Sequence, residues 1–223
     1  RAFHALGELK WNEDNTGSIY GFLQYIGPIK EHWHTSRIVF DFDGGPRGLR
    51  WQANRTYKSS RAARYREEGE EKRKARQQFN RQVKLLRTKY LKQLGFNNVF
   101  AAKGYEADDI IARIIEGLPA DQEAIIVSSD KDLWQLLAPN VVCYNPKTRK
   151  TLTLAKFQKD WGITPAQWAD VKAWAGCDTD DIAGIEGIGE KKAAQWVAGT
   201  LPSHHKAYQT ISENVDVYTR NIK

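Results

Sequence analysis

Apolar positions along the chain form short β-branched runs and helical stripes, separated by polar, glycine-marked breaks. Over 18–34, Ile19, Phe22, Leu23, Ile26 and Ile29 recur with helical spacing, and Pro28 is expected to end or bend that helix. The run Ile38-Val39-Phe40-Asp41-Phe42 reads as a buried strand, broken sharply by Gly44-Gly45-Pro46. Residues 61–93 read as helical, interrupted at Gly69. The first half of that segment has almost no large apolar residue and is expected to be exposed. In the second half Phe79, Val83, Leu86, Tyr90 and Leu94 are spaced like one buried face, and Gly95 fits a helix stop. Strands are predicted at 98–102, 124–127, 141–144 and 151–154, with helices at 106–117 and 133–137 between them. That alternation predicts an α/β fold with a mainly parallel central sheet flanked by helices. From about 156 the pattern turns helical, with candidates at 156–161, 166–175 and 191–198. Beyond 200 the pattern carries no clear signal.

Composition narrows the picture. At 223 residues and 41% hydrophobic, the chain can form one large domain, or one domain with a small appendage. No apolar run reaches membrane-span length and no signal-peptide pattern is present. Cys143 and Cys177 are the two cysteines, which fits a reducing, intracellular setting and matches no zinc pattern. The net charge of +7 is uneven: residues 61–92 hold twelve Lys or Arg against four Glu, a local +8, leaving the rest near −1. A basic segment on a near-neutral body that also carries acidic clusters points to a polyanion held beside a metal site, although a solvated charged helix has the same composition. The opening Arg1-Ala2-Phe3-His4 reads as mid-element, and a preceding segment is expected.

The candidate chemistry lies in carboxylates at the ends of apolar segments. Glu106, Asp108 and Asp109 fall within four residues, directly before an apolar run at helical spacing. Acids in a first helical turn also serve as caps, because the unpaired N–H groups there favour negative charge. Recurrence favours more than a cap: Asp41 and Asp43, Asp130 and Asp132, and Asp178, Asp180 and Asp181 stand in similar positions. In an α/β sheet, ligand sites lie beyond the carboxyl ends of the strands, where Asp43, Asp130 and Asp132 fall. Converging carboxylates need cations, and hard oxygen ligands favour Mg²⁺ or Mn²⁺. Near the C-terminus, Gly184-Ile185-Glu186-Gly187-Ile188-Gly189 joins two helix candidates like the turn of a helix–hairpin–helix. Its glycines let backbone groups approach phosphates, or hold a monovalent cation such as K⁺. Lys191 and Lys192 follow at the start of the second helix, where positive charge opposes the helix dipole and calls for a phosphate partner.

These motifs together resemble the 5′ nuclease family of flap endonucleases, bacteriophage 5′→3′ exonucleases and the 5′-nuclease domain of bacterial DNA polymerase I. The resemblance runs from about residue 1 to 198 and rests on Tyr57-Lys58-Ser59-Ser60-Arg61, Glu106-Ala107-Asp108-Asp109, Ser129-Asp130-Lys131-Asp132 and residues 184–192. It implies an α/β nuclease core over 1–155, including a basic helical arch at about 57–93. A helical DNA-binding H3TH region would follow over 156–223. It implies two Mg²⁺ or Mn²⁺ ions, with Asp43, Glu106, Asp108 and neighbouring Asp109 at the first, and Asp130, Asp132 and Asp178 or Asp180 at the second. Asp43 precedes Arg50 by seven residues, as in the family; Asp41 is the alternative. Lys58 and Arg61 would neutralise the scissile phosphate, with Tyr57 beside them. Lys172, Gly187, Gly189, Lys191 and Lys192 would grip duplex DNA. The implied substrate is DNA with a 5′ flap or free 5′ end, cut by a monomeric enzyme in the cytoplasm of a bacterium or a phage-infected cell.

Two positions depart from the family pattern. A metal-binding Asp on the family's opening strand would precede Arg1. In the family's Asp-x-x-Asp before the hairpin, Cys177 takes the first place and Asp180 the second, with Asp178 one residue away. A thiol is a poor Mg²⁺ ligand. A non-catalytic reader of branched DNA and a Mg²⁺-dependent phosphatase on a similar sheet stand as alternatives.

Overall fold

The computed structural model describes residues 9–11, 14–45, 52 and 57–222. Residues 1–4 and Arg50, which entered the motif reading, lie outside these. The chain divides into two compact units, Arg1–Leu49 with Arg61–Ile110, and Arg50–Ser60 with Ile111–Lys223. The architecture is mixed α/β with small sheets. Among the described residues no helix is long and apolar enough to cross a membrane.

In the first unit, β1 (Lys10–Trp11) pairs antiparallel with β2 (Asp14–Asn15). The stripe over 18–34 forms two helices, Gly17–Leu23 and Ile26–Trp33. Pro28 does not end a helix as expected; it occupies the first turn of the second one, where its missing N–H has no intrahelical acceptor to lose. The break falls earlier, at Gln24 and Tyr25. The strand expected over 38–42 is shorter, with β3 at Phe40–Asp41 paired in parallel with β4 at Val99–Phe100. Ile19, Phe40, Leu86 and Leu91 form its buried core, with Phe22 and Phe96 packed on Phe40 at ring separations of 5.8 and 5.1 Å.

The basic segment forms the helices Ser59–Glu67 and Glu70–Leu85, with Gly69 as N-cap of the second. Nothing in Ser59–Glu67 is buried, as its composition dictates. The buried face of the following helix differs from the simple stripe. Phe79 and Leu94 are exposed, whereas Gln82, Leu86 and Leu91 are buried. The cause is a π-helical turn at Leu86–Tyr90, in which the Leu91 N–H reaches back five residues to the Leu86 carbonyl. The extra residue rotates the stripe and delivers Leu91 to the core in place of Leu94, with Tyr90 left partly buried at its edge. Buried Gln82 is satisfied: Oε1 accepts from the Ser18 N–H at 2.9 Å, and Nε2 donates to Asn15 Oδ1 at 3.3 Å. Gly95, at φ +87°, makes the expected stop after Leu91–Gln93.

In the second unit, β5 (Ala124–Val127) pairs in parallel with β6 (Val141–Asn145), and β6 pairs antiparallel with β7 (Lys150–Leu152). The helix expected at 133–137 is a 3₁₀ segment, Asp132–Leu136. A single, mainly parallel central sheet is not seen among the described residues: four small sheets occur, two of them antiparallel pairs and one mixed. The helices Leu154–Trp161, Trp168–Ala175 and Glu190–Val197 surround an aromatic centre in which Trp134, Phe157, Trp161 and Trp168 contact one another at 4.7–6.1 Å. Thr153 caps the first of these by accepting from the Lys156 N–H. Two further helices follow, Lys206–Ser212 and Val215–Asn221. His205 Nδ1 caps the former, and Tyr218 stacks on Trp174 and donates to Asp170 Oδ1 at 2.7 Å.

The π turn separates two truncations that a regular helix would make alike. Leu91→Ala should cost about 2–5 kcal/mol, the range for emptying a fully buried leucine site. Leu94→Ala should cost well under about 1 kcal/mol. Urea unfolding of both variants reads the difference; equal losses would mean that the stripe is not rotated.

Candidate metal and DNA site

Two groups of the expected site residues assemble, one in each unit. In the first, the chain leaves β3 at Asp41 and reaches Asp43. The Gly44 N–H donates to the Tyr105 carbonyl at 2.9 Å, and a Cβ on Gly44 would stand 1.6 Å from the Ala102 carbonyl oxygen. Only glycine permits this approach. It brings Asp43 Oδ1 to the N–H of Ala107, 2.9 Å away, at the start of the helix Ala107–Glu116. Asp109 Oδ2 accepts from the Glu106 N–H at 2.9 Å, and Asp108 shares the same first turn. Asp43, Glu106, Asp108 and Asp109 therefore gather at one helix start, where backbone N–H groups offset part of their mutual repulsion. Asp43 and Asp109 act as caps for the backbone here.

Asp41 behaves differently. Its Oδ1 is buried without a hydrogen-bond partner, and burial raises its pKa from the ordinary 3.8 to about 6.

In the second unit, Ser128 Oγ accepts from the Asp130 N–H at 3.0 Å, and Asp130 Oδ1 accepts from the Asp132 N–H at 2.9 Å. This turn beyond β5 fixes the two carboxylates. Asp132 Oδ1 is buried and lies 3.5 Å from Lys172 Nζ, an ion-pair distance too long for a good hydrogen bond. Burial dominates and raises the Asp132 pKa despite the lysine. Lys172 has the opposite balance: burial works against its charge, but Asp132, Cys177 and Glu190 outweigh it and raise its pKa. Lys172 Nζ is also 3.8 Å from Glu190 Oε1, and Lys131 pairs with Glu190 Oε2.

The Tyr57–Ser60 stretch meets the turn after β8 (Gly176–Cys177). Lys58, at φ +55°, donates its N–H to the Asp180 carbonyl at 3.3 Å, and its Nζ lies 3.7 Å from Asp180 Oδ1 and 4.7 Å from the Tyr57 ring centre. The Ser60 N–H donates to Asp181 Oδ2 at 2.8 Å. Cys177 Sγ is 3.1 Å from Thr179 Oγ1 and 3.5 Å from Asp180 Oδ2, so the thiol does stand beside Asp180, while Asp178 is exposed. β8 pairs with β9 (Ile182–Ala183), and a Cβ on Gly176 would come 2.2 Å from the Gly184 nitrogen.

The hairpin glycines have separate roles. Gly187 is required by its φ of +75°, whereas Gly189 has φ −87° and open space where a side chain would go. Ile185 and Ile188 anchor the turn in the core. Lys192 Nζ is 3.5 Å from the Gly187 carbonyl. Lys191 lies over the Trp161 ring at 3.8 Å and donates to the Asp160 carbonyl at 3.0 Å, which satisfies the C-terminus of a neighbouring helix.

Among the described residues, no three His, Cys, Asp or Glu side chains stand close enough to hold a metal ion. The lysines account for part of this, since Lys172 lies against Asp132 and Lys58 against Asp180. The donors still suit a hard divalent cation: they are carboxylate oxygens, and one of them, Asp132 Oδ1, is buried with no hydrogen-bond donor. Sequence reasoning missed Glu190, which anchors Lys131 and Lys172; Asp181 stood among the recurring carboxylates, but its hold on the Ser60 N–H was not visible. Glu190 directly follows the glycine turn, a place where an acid reads as an ordinary first-turn residue.

A family model described as the 5'-3' exonuclease N-terminal resolvase-like domain matches residues 1–162. The chain belongs to this 5'-3' exonuclease family. It is 31% identical over 196 residues to a 5'-3' exonuclease of Buchnera aphidicola subsp. Schizaphis graminum, covering 86% of this chain and 64% of that protein. Identity is also 31% over 196 residues to the thermostable DNA polymerase I of Thermus aquaticus, covering 86% of this chain and 22% of the polymerase. The chain thus spans less than two thirds of either relative. The fold matches the T5 5'-exonuclease with bound zinc at a TM-score of 0.76 and 23% identity, over 91% of this chain and 79% of that one. It matches a T5 flap endonuclease complex with DNA and metal ions at 0.73 and 22%, over 91% and 78%.

The Asp41 carboxyl gives a pH test. Its folded pKa lies above its unfolded one, so the native state holds the extra proton between about pH 4 and 6 and loses stability as pH rises through that window. In chelator, Asp41→Asn should therefore raise the melting temperature at pH 8 and bring no gain at pH 4. A pH-independent effect would show that burial does not perturb this group.

Proposed function

We propose that this family member is a divalent-metal-dependent, structure-specific 5′ nuclease that hydrolyses DNA near a 5′ flap or free 5′ end. The observation that carries the reading is the meeting of Tyr57–Ser60 with the Asp178–Asp181 turn, which sets the Lys58 ammonium 3.7 Å from the Asp180 carboxylate. A cation for a phosphate and an anion for a metal at one place is the pairing phosphodiester hydrolysis needs. The 5'-3' exonuclease relative, and the DNA and metal ions of the T5 flap endonuclease complex, support the same reading.

Asp43, Glu106 and Asp108, with Asp109, would hold one ion, and Asp130 and Asp132, with Asp180 or Asp178, the other. Mg²⁺ or Mn²⁺ held there would supply Lewis acidity for water activation and for the leaving 3′-oxygen, which corresponds to products with a 5′-phosphate and a 3′-hydroxyl. Lys58 and Arg61 offset the charge on the scissile phosphate. Cys177 offers a soft donor where oxygen is preferred, so Asp178 or Asp180 supplies the hard ligand of that turn. The residues from Trp168 to Val197 act as the helix–hairpin–helix that grips duplex phosphates, with backbone N–H groups around Gly187 and Gly189 and the ammonium of Lys192. Carbonyls of that turn are the place for K⁺. Lys191 serves mainly to lock the hairpin onto Trp161. Phosphate contacts read no base sequence, so the specificity is for structure. The basic helices from Ser59 to Leu85 form an arch around a single strand, in a cytoplasmic monomer.

Cys177 keeps a second reading in play, a branched-DNA reader without catalysis. A 5′-flap substrate with Mg²⁺ separates the two. Cleavage near the junction is expected, and Asp130→Ala should slow it by roughly a hundredfold or more while flap binding in EDTA persists. Unchanged turnover in that variant would refute the ligand role of Asp130. Binding without cleavage by the parent chain, extended at its N-terminus, would favour the reader.

A further inference from the structure

Glu190 opens the helix Glu190–Val197, and each of its oxygens faces a different lysine. Oε2 pairs with Lys131, the residue between Asp130 and Asp132. Oε1 lies 3.8 Å from Lys172 Nζ, which lies 3.5 Å from Asp132 Oδ1. The Lys172 ammonium thus stands between two carboxylates at nearly equal distances. Its side chain is 21% exposed, and those of Asp132 and Glu190 are 35% and 25% exposed, so these charges are only partly screened by water. A helix start is a favourable place for negative charge, which suits Glu190 to that position.

A divalent cation and the Lys172 ammonium would compete for the same oxygen, Asp132 Oδ1. Displacing a half-buried ammonium from its only counter-charge is costly. A second carboxylate on the far side removes most of that cost, because the ion pair is exchanged and not broken. We propose that Glu190 is a positioning residue for metal loading: it receives Lys172 when a divalent cation takes Asp132, and it is held in place for that exchange by Lys131. The exchange also ties the hairpin helix to the Asp130–Asp132 turn, so cation binding at the turn and the setting of the hairpin start are linked through one side chain. This inference rests on reading Asp130 and Asp132 as cation ligands.

The test uses Mn²⁺ titration calorimetry on the whole chain without DNA, following the Mn²⁺ binding that Asp130→Asn removes. Glu190→Gln should weaken that binding roughly two- to fivefold, the scale of a partly exposed ion pair. Lys172→Gln should tighten it. In the Lys172→Gln background, Glu190→Gln should have little further effect, because no ammonium then needs a second partner. Mn²⁺ binding unaffected by Glu190→Gln would overturn the proposal. So would an equal loss in both backgrounds, which would mark Glu190 as a general negative charge or a packing residue. If Asp130→Asn removes no Mn²⁺ binding, the ligand reading itself fails, and the inference with it.

Discussion

Carboxylates cannot be held near one another without something positive between them. At 4 Å two like charges repel by about 4 kcal/mol at the effective dielectric of a protein surface. The chain meets this constraint in two ways. At the start of the Ala107–Glu116 helix, backbone N–H groups bind Asp43 and Asp109. Beyond β5 and β8, lysine ammoniums do so: Lys172 against Asp132, Lys58 against Asp180 and Lys131 against Glu190. The positive groups are a condition of the fold, and a metal cation entering here would have to exchange with them.

This division follows from where each acid sits. Acids in a first helical turn gain from N–H groups that nothing else satisfies. Asp130 and Asp132 sit on a turn before a 3₁₀ segment, which offers only the Asp132 N–H to Asp130. Long lysine stems reach in from neighbouring elements instead. One of those lysines, Lys131, also covers the rim of the tryptophan cluster over Trp134 at 5.6 Å, as Lys191 does over Trp161 at 3.8 Å. The aromatic centre that stabilises the unit therefore helps aim the charges at its edge.

Much of this was legible in the residues. β5, β6 and the Ala107–Glu116 helix stand where the runs of Ile and Val fall, because local pattern and burial agree there. Gly95 and Gly187, at positive φ, mark turns their conformations require, and Gly69 marks a helix start. What was not legible depends on partners distant in the chain. The Leu86–Tyr90 π turn is invisible to a stripe count, since a regular period assumes that no residue is added. The break at Gln24 and Tyr25 carries neither Pro nor Gly, so Pro28 drew the boundary in its place. β3 is shorter than its apolar run because its neighbour β4 offers only Val99–Phe100 as partners. Glu190 reads as a helix-start acid until Lys131 and Lys172 are seen beside it.

The π turn has a wider consequence. One additional residue in a helix turns everything before it by about 100° relative to everything after it. Leu91 can thus be seated by the hydrophobic core while the charged side of Glu70–Leu85 faces in a direction the core does not dictate. Losing a single residue there would leave both helices intact and their composition almost unchanged, yet would swing the six positive charges of Glu70–Leu85 to a different bearing.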